Sequence, residues 1–154
     1  MSGRLAGIAR RARPKAPMEE LAEAELTPER GVAGDCRGRP GRRQVTILAA
    51  EDWALAQAGL GGAPSPWTVR RANLLVAGLA LPRSPGACLR IGGVLVELTG
   101  ECDPCERMDR QRAGLRQALA PDWRGGRTGR IVAGGRVRVG DEVALAWAGA
   151  DPPA

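Results

Sequence analysis

Ala87-Cys88-Leu89-Arg90-Ile91-Gly92-Gly93-Val94-Leu95-Val96-Glu97-Leu98-Thr99 is the stretch that decides the fold class of this 154-residue chain. Leu89 and Ile91 alternate before the glycine pair, and Val94, Val96 and Leu98 alternate after it. A period of two puts such side chains on one face of a strand, and Gly-Gly supplies the positive φ of a tight turn. The segment predicts a β-hairpin. Residues 130–147 predict a second one, with Gly134-Gly135 between Ile131, Val132 and Val137, Val139. Gly140-Asp141 then turns into Val143, Leu145 and Trp147, and Arg136 and Arg138 take the opposite face.

Outward from these hairpins the chain keeps changing element every few residues. Residues 5–11 read as an opening strand with Leu5 and Ile8 inward, closed by Arg13-Pro14 and Ala16-Pro17. Residues 19–25 read as a helical turn or an exposed charged loop, and 31–41, with four glycines, as an irregular loop. Residues 44–49 and 73–76 are short β-leaning runs. Residues 51–60 predict a helix with Glu51 and Asp52 in its first turn and Gly61-Gly62 after it. Ser65-Pro66-Trp67 makes another turn. Residues 106–120 predict a further helix with Met108, Leu115 and Leu119 on one side and Pro121 at its end. Many short strands and a minority of helix point to a mainly β fold, a closed or partly open β-barrel with two or three short helices. We read residues 1–150 as one domain and 151–154, with Pro152-Pro153, as a tail.

Composition excludes more than it assigns. There is no histidine, so no Ser-His-Asp triad, Cys-His dyad or histidine-ligated metal site can form within the chain. Four tryptophans are the only aromatics, too few for the stacked rows of many nucleic-acid modules. A net charge of +6 rests almost wholly on arginine, Lys15 being the single lysine, as a GC-rich coding bias would produce. The placement is still uneven. Arg4, Arg10, Arg11, Arg13 and Lys15 form one cluster, and Arg37, Arg39, Arg42 and Arg43 another, surfaces that attract anions. No apolar run approaches the ~20 residues a membrane-spanning helix needs. No signal-peptide pattern opens the chain, so cytoplasmic is the expected location.

Of four cysteines, Cys88 reads as a small apolar strand residue, and nothing near Cys36 argues for activation. Cys102 and Cys105 stand apart, in Gly100-Glu101-Cys102-Asp103-Pro104-Cys105 between a predicted strand and a predicted helix. A helix N-terminus favours thiolate, while Asp103 and Glu106 oppose it. Three readings compete: part of a zinc knuckle, which lacks further ligands; a thioredoxin-like pair, which lacks its βαβ context; and a single functional thiolate. Spacing alone does not choose among them.

The order of several short motifs resembles the MOSC domain family, small stand-alone bacterial type. Gly31-Val32-Ala33-Gly34-Asp35 is similar to that family's Gly-x-x-Gly-Asp loop, and Arg43-Gln44-Val45-Thr46 to its Arg-Gln-Val strand. Arg71-Ala72-Asn73-Leu74-Leu75 resembles the Arg-x-Asn-Leu segment, and residues 100–108 the segment carrying the family's cysteine. Arg124-Gly125-Gly126 and residues 135–143 resemble its closing strands. The resemblance implies a barrel related to that of pyruvate kinase and binding of the molybdenum cofactor (molybdopterin), a pterin dithiolene bearing phosphate and an oxo-metal centre. It makes Cys105 the expected molybdenum ligand or persulfide-bearing thiol, with Cys102 as neighbour. Arg43, Arg71, Asn73 and Arg124 become the expected cofactor-holding residues. It implies an oxidoreductase acting on N-hydroxylated compounds, or else a carrier of sulfur or cofactor. No pyridoxal-phosphate site is expected, so an electron-donor protein or a cysteine desulfurase must act as partner; nucleic acid and membrane are not expected partners.

Overall fold

The computed structural model describes residues 2–147, so the predicted tail 151–154 lies outside the described residues. The predicted hairpin is there: β7 (Cys88–Ile91) and β8 (Val94–Glu101) pair antiparallel, with Leu89 opposite Val96 and Ile91 opposite Val94. Around it β1 (Ser2–Arg10), β5 (Val45–Ala49), β6 (Leu74–Ala77), β9 (Arg127–Ala133) and β11 (Glu142–Trp147) complete a ring. The ring runs β11-β7-β8-β9-β5-β6-β1 and closes through the β1–β11 pairing, giving a closed seven-stranded mixed barrel. Closure leaves no free edge in the ring itself. Only β5 and β6 run parallel, and α1 (Ala50–Leu60) makes the crossover between them.

The interior is aliphatic. Leu5, Ile8, Val45, Ile47, Leu74, Val76, Leu89, Ile91, Val96 and Leu98 fill it. Each such side chain contributes about 1.5–3 kcal/mol on burial. Leu48 and Leu75 point the other way, into a second core with Trp53, Met108, Leu115 and Leu119 beneath the helices. Burial on both faces explains why β5 and β6 read as continuous apolar runs and not as alternating ones. Cys88 sits half-buried in β7, where burial and then Glu97 push its thiol up.

Three expectations are corrected. The segment 19–25 is not a helical turn or loop: Glu19–Leu21 is β2, paired with β1, and Glu23–Thr27 is β3. Ala24 and Leu26 turn inward while Glu23 and Glu25 face solvent. The second predicted hairpin does not form. Its strands exist, but β10 (Gly135–Arg138) pairs with β3, β9 with β8 and β5, and β11 with β7 and β1. The pairing of β10 with β3 is sealed by Arg136 and Arg138, both reaching Glu23 at 3.4 and 3.1 Å. The long helix 106–120 is two short ones, α2 (Glu106–Gln111) and α3 (Leu115–Leu119), broken where Gly114 takes φ +84°. Two 3-10 turns, Trp67–Arg70 and Pro121–Trp123, complete the regular structure of the described residues.

Candidate functional site

Four chain segments meet beside the barrel, and each is pinned by its own polar contacts. The first is the loop from β4 (Gly31–Val32) to β5. Asp35 accepts from the backbone N–H groups of Arg11 at 3.0 Å and Arg37 at 3.2 Å. Gln44, 2% exposed, donates to the carbonyls of Pro28 and Gly38 and accepts from the N–H of Ile131. Gly38 lies so close to Arg30 that a Cβ there would stand 1.7 Å from the Arg30 carbonyl oxygen. The early glycine motif and the Arg-Gln-Val motif therefore have a local meaning: they fold this loop onto the barrel and leave Arg37 and Arg43 exposed at its rim.

The second segment is the turn into β6. Arg71 ends the 3-10 turn in the left-handed region, at φ 65° and ψ 31°. Asn73 is 6% exposed and joins three strands' worth of backbone. Its Oδ1 accepts from the Thr46 N–H and hydroxyl, and its Nδ2 donates to the Ala9 carbonyl at 3.2 Å. Asn73 thus ties β1 and β5 to the start of β6, with one Nδ2 hydrogen left over.

The third segment carries the cysteines from β8 into α2. Here the organising residue is one the sequence reading passed over. Arg70, 7% exposed, donates from Nε to the Gly125 carbonyl at 2.8 Å. From Nη2 it donates to the Cys102 carbonyl at 2.9 Å and to Cys102 Sγ at 3.2 Å. A planar five-hydrogen fork suits several fixed acceptors at once. Gly125, in the fourth segment, abuts the same loop: a Cβ there would stand 2.7 Å from the Cys102 carbonyl oxygen. Cys102 is half-buried and Cys105, at the start of α2, is exposed; all four cysteines are free.

The first three segments, with Arg11 and Met18 after β1, enclose a pocket of about 270 Å³. Of the residues expected from sequence, Arg43, Arg71, Asn73, Cys102 and Cys105 all line it. Arg124 does not; its guanidinium turns back to the Ala118 carbonyl at 3.5 Å. Arg11, Arg37, Arg70 and Arg107 also line the pocket, so six arginines face two carboxylates, Asp35 and Asp103. The excess favours an anion. Like charges are felt within the site: burial, then Arg11 and Arg107, lower the pKa of Arg71. Its Nη2 donates to the Ala16 carbonyl at 2.7 Å, yet its Nε is buried without a hydrogen-bond partner among the described residues. A buried donor left unmade costs about 1–3 kcal/mol. Among the described residues no three Cys, Asp or Glu side chains converge as a metal-ligand group, so a metal held here must bring part of its own coordination. On the acidic rim, burial and then Asp103 raise the pKa of Glu101.

The architecture defines a class: a small closed mixed barrel with an arginine-lined, thiol-bearing pocket on its flank. Residues 27–144 match the MOSC domain, and the chain belongs to that family. Solved structures agree on the fold. The YuaD protein from Bacillus subtilis is 18% identical over 93% of this chain and 94% of its own, with a TM-score of 0.77. YiiM from Geobacillus stearothermophilus is 15% identical over 94% of this chain and 75% of its own, TM-score 0.74. YiiM from Escherichia coli is 20% identical over 93% and 69%, TM-score 0.64. No curated protein sequence matches the chain. No helix among the described residues is long and apolar enough to cross a membrane.

Proposed function

We propose that this pocket binds the molybdenum cofactor, with Cys105 as the thiolate ligand to the metal. The MOSC family is associated with that cofactor. The observation that carries the reading is the convergence, in one pocket, of an exposed thiol at Cys105 with six arginines, Arg43 and Arg71 among them. The donor set fits the group: arginine forks suit a phosphate, and a soft thiolate suits molybdenum already held by a dithiolene. Arg43 and Arg71 would grip the anionic pterin and its phosphate, joined by Arg11, Arg37 and Arg107. Asn73 keeps the β1–β5–β6 wall in place, and Arg70 holds the loop on which both cysteines stand. When bound, the cofactor supplies two-electron redox chemistry at the metal; the protein supplies ligand, pocket and field. We assign the protein as an oxidoreductase acting on N-hydroxylated compounds, drawing electrons from a separate donor protein.

The exposure of Cys105 also favours a second reading, a persulfide carrier loaded by a cysteine desulfurase. One experiment separates them. The wild type and Cys105→Ala are produced in a cofactor-competent host and assayed for molybdenum, oxidised-pterin fluorescence and labile sulfur by intact mass. Stoichiometric metal and pterin in the wild type, with no labile sulfur adduct on Cys105, support the cofactor reading. A labile sulfur adduct on Cys105 without metal supports carriage and overturns the first assignment.

A further inference from the structure

Six arginines of the described residues are held in ion pairs: Arg10, Arg83, Arg127, Arg130, Arg136 and Arg138. None of the six lines the thiol pocket or the two grooves that open from it. On one side the pocket shares Arg37 and Arg43 with a groove that also carries Arg39 and Arg42. On the other it shares Arg71 and Arg107 with a groove that adds Lys15 and Arg110. None of these eight cations has an acidic partner among the described residues. A coding bias toward arginine raises the number of cations everywhere. Seven other arginines, Arg4 and Arg90 among them, also lack an acidic partner among the described residues but lie outside these openings, whereas eight unpaired cations gather around one.

Asp35, which precedes Cys36 of the first groove, is occupied by the backbone N–H groups of Arg11 and Arg37. The third side of the opening is acidic instead, with Asp103 and Glu106 exposed beside Cys105. The rim is therefore polar in a directional sense: cationic across two sides, anionic on one. Such a pattern orients an approaching charged partner before contact.

We infer that the band of unpaired cations across the pocket mouth is a docking surface for an acidic redox protein that reaches Cys105 and the pocket from outside. Eight cations spread over two grooves exceed what one small anion in the central pocket can neutralise. A nucleic acid is the weaker match, because neither groove presents an aromatic ring on which a base could stack. The inference rests on the cofactor reading for what the partner delivers, but not for the charge complementarity itself.

The test uses the full, cofactor-loaded chain and two probes: a plant-type ferredoxin as acidic carrier and a single-stranded RNA of about twenty nucleotides. Binding is titrated at low and moderate ionic strength, about 0.05 and 0.3 M, where rim charges are respectively felt and screened. Arg39→Glu combined with Arg110→Glu reverses one exposed cation in each groove and touches nothing in the central pocket. Arg4→Glu combined with Arg90→Glu makes the same change in net charge on exposed positions outside both grooves. The inference expects saturable, salt-sensitive ferredoxin binding, weakened about tenfold or more by the groove variant and less than about twofold by the control. It is overturned by absent ferredoxin binding, by equal losses in both variants, or by RNA binding more tightly than ferredoxin with the same loss. Molybdenum and pterin contents are measured on every sample, so failure of the cofactor reading shows separately as an empty wild type.

Discussion

Replacing Arg70 by leucine removes the side chain that fastens the cysteine loop to the 3-10 turn before β6 and to Gly125. Leucine fills part of the volume but leaves the carbonyls of Cys102 and Gly125 without the donors that reach them at 2.9 and 2.8 Å. A buried carbonyl stripped of its partner costs about 1–3 kcal/mol. Water entering from the pocket can reach the Cys102 side, so the sum falls at about 2–4 kcal/mol, not at the upper limit for two. For a chain of this length that is a fall in Tm of roughly 5–15 °C. Lysine restores the charge but not the fork, and should recover less than half of the loss. The local effect is as telling as the global one. With Sγ of Cys102 no longer held by Nη2, the alkylation rate of Cys102 should change severalfold, while that of Cys105, exposed already, stays as it was. Scanning calorimetry and peptide-level mass spectrometry after brief iodoacetamide treatment read both. A Tm within about 2 °C of wild type, together with unchanged Cys102 labelling, would refute the role given to Arg70.

Asn73→Ala should cost about 2–4 kcal/mol in chemical denaturation, because it frees the Ala9 carbonyl and two Thr46 groups at once. Asn73→Asp should lose nearly as much, since a carboxylate placed against the Ala9 carbonyl cannot donate. Gly38→Ala should open the 28–44 loop, seen as faster proteolysis there, because no backbone adjustment short of moving Arg30 makes room for a methyl group. Glu101 gives a pH prediction. Its pKa is raised by burial and then by Asp103, so the folded state holds a proton that the unfolded state gives up sooner. Stability from this group is present at acid pH and is lost as pH rises through its unfolded value toward its folded one. Glu101→Gln should therefore raise Tm near pH 7 and leave it unchanged near pH 3.5, by differential scanning fluorimetry.

The barrel was legible where one face of a strand is buried and the other wet. Alternation in 87–99 named both the strands and their partner, because a two-residue glycine turn leaves a hairpin little choice. At 130–147 the same pattern gave the strands but misled on partners. Alternation reports which face is buried and says nothing of who lies alongside; the cross-strand reach of Arg136 and Arg138 to Glu23 spans over a hundred residues. The Glu23–Thr27 strand was hidden by its own charge, although Ala24 and Leu26 alternate with the glutamates. The helix 106–120 was read through Gly114, whose positive φ breaks it. In the site, order of motifs located Arg43, Arg71, Asn73, Cys102 and Cys105 around one pocket, yet Arg70 went unnoticed beside Arg71. Two adjacent arginines look alike in sequence; a 3-10 turn ending in a left-handed residue is what sends Arg70 to the carbonyls of Gly125 and Cys102 and Arg71 to that of Ala16.

X-ray absorption at the molybdenum edge of the loaded chain tests the assignment of Cys105 most directly. Comparison of the wild type with Cys105→Ala and Cys102→Ala should show one fewer sulfur neighbour at the metal in Cys105→Ala alone, with pterin retained by the arginines in all three. An unchanged sulfur shell in Cys105→Ala, or the loss appearing in Cys102→Ala instead, would contradict it.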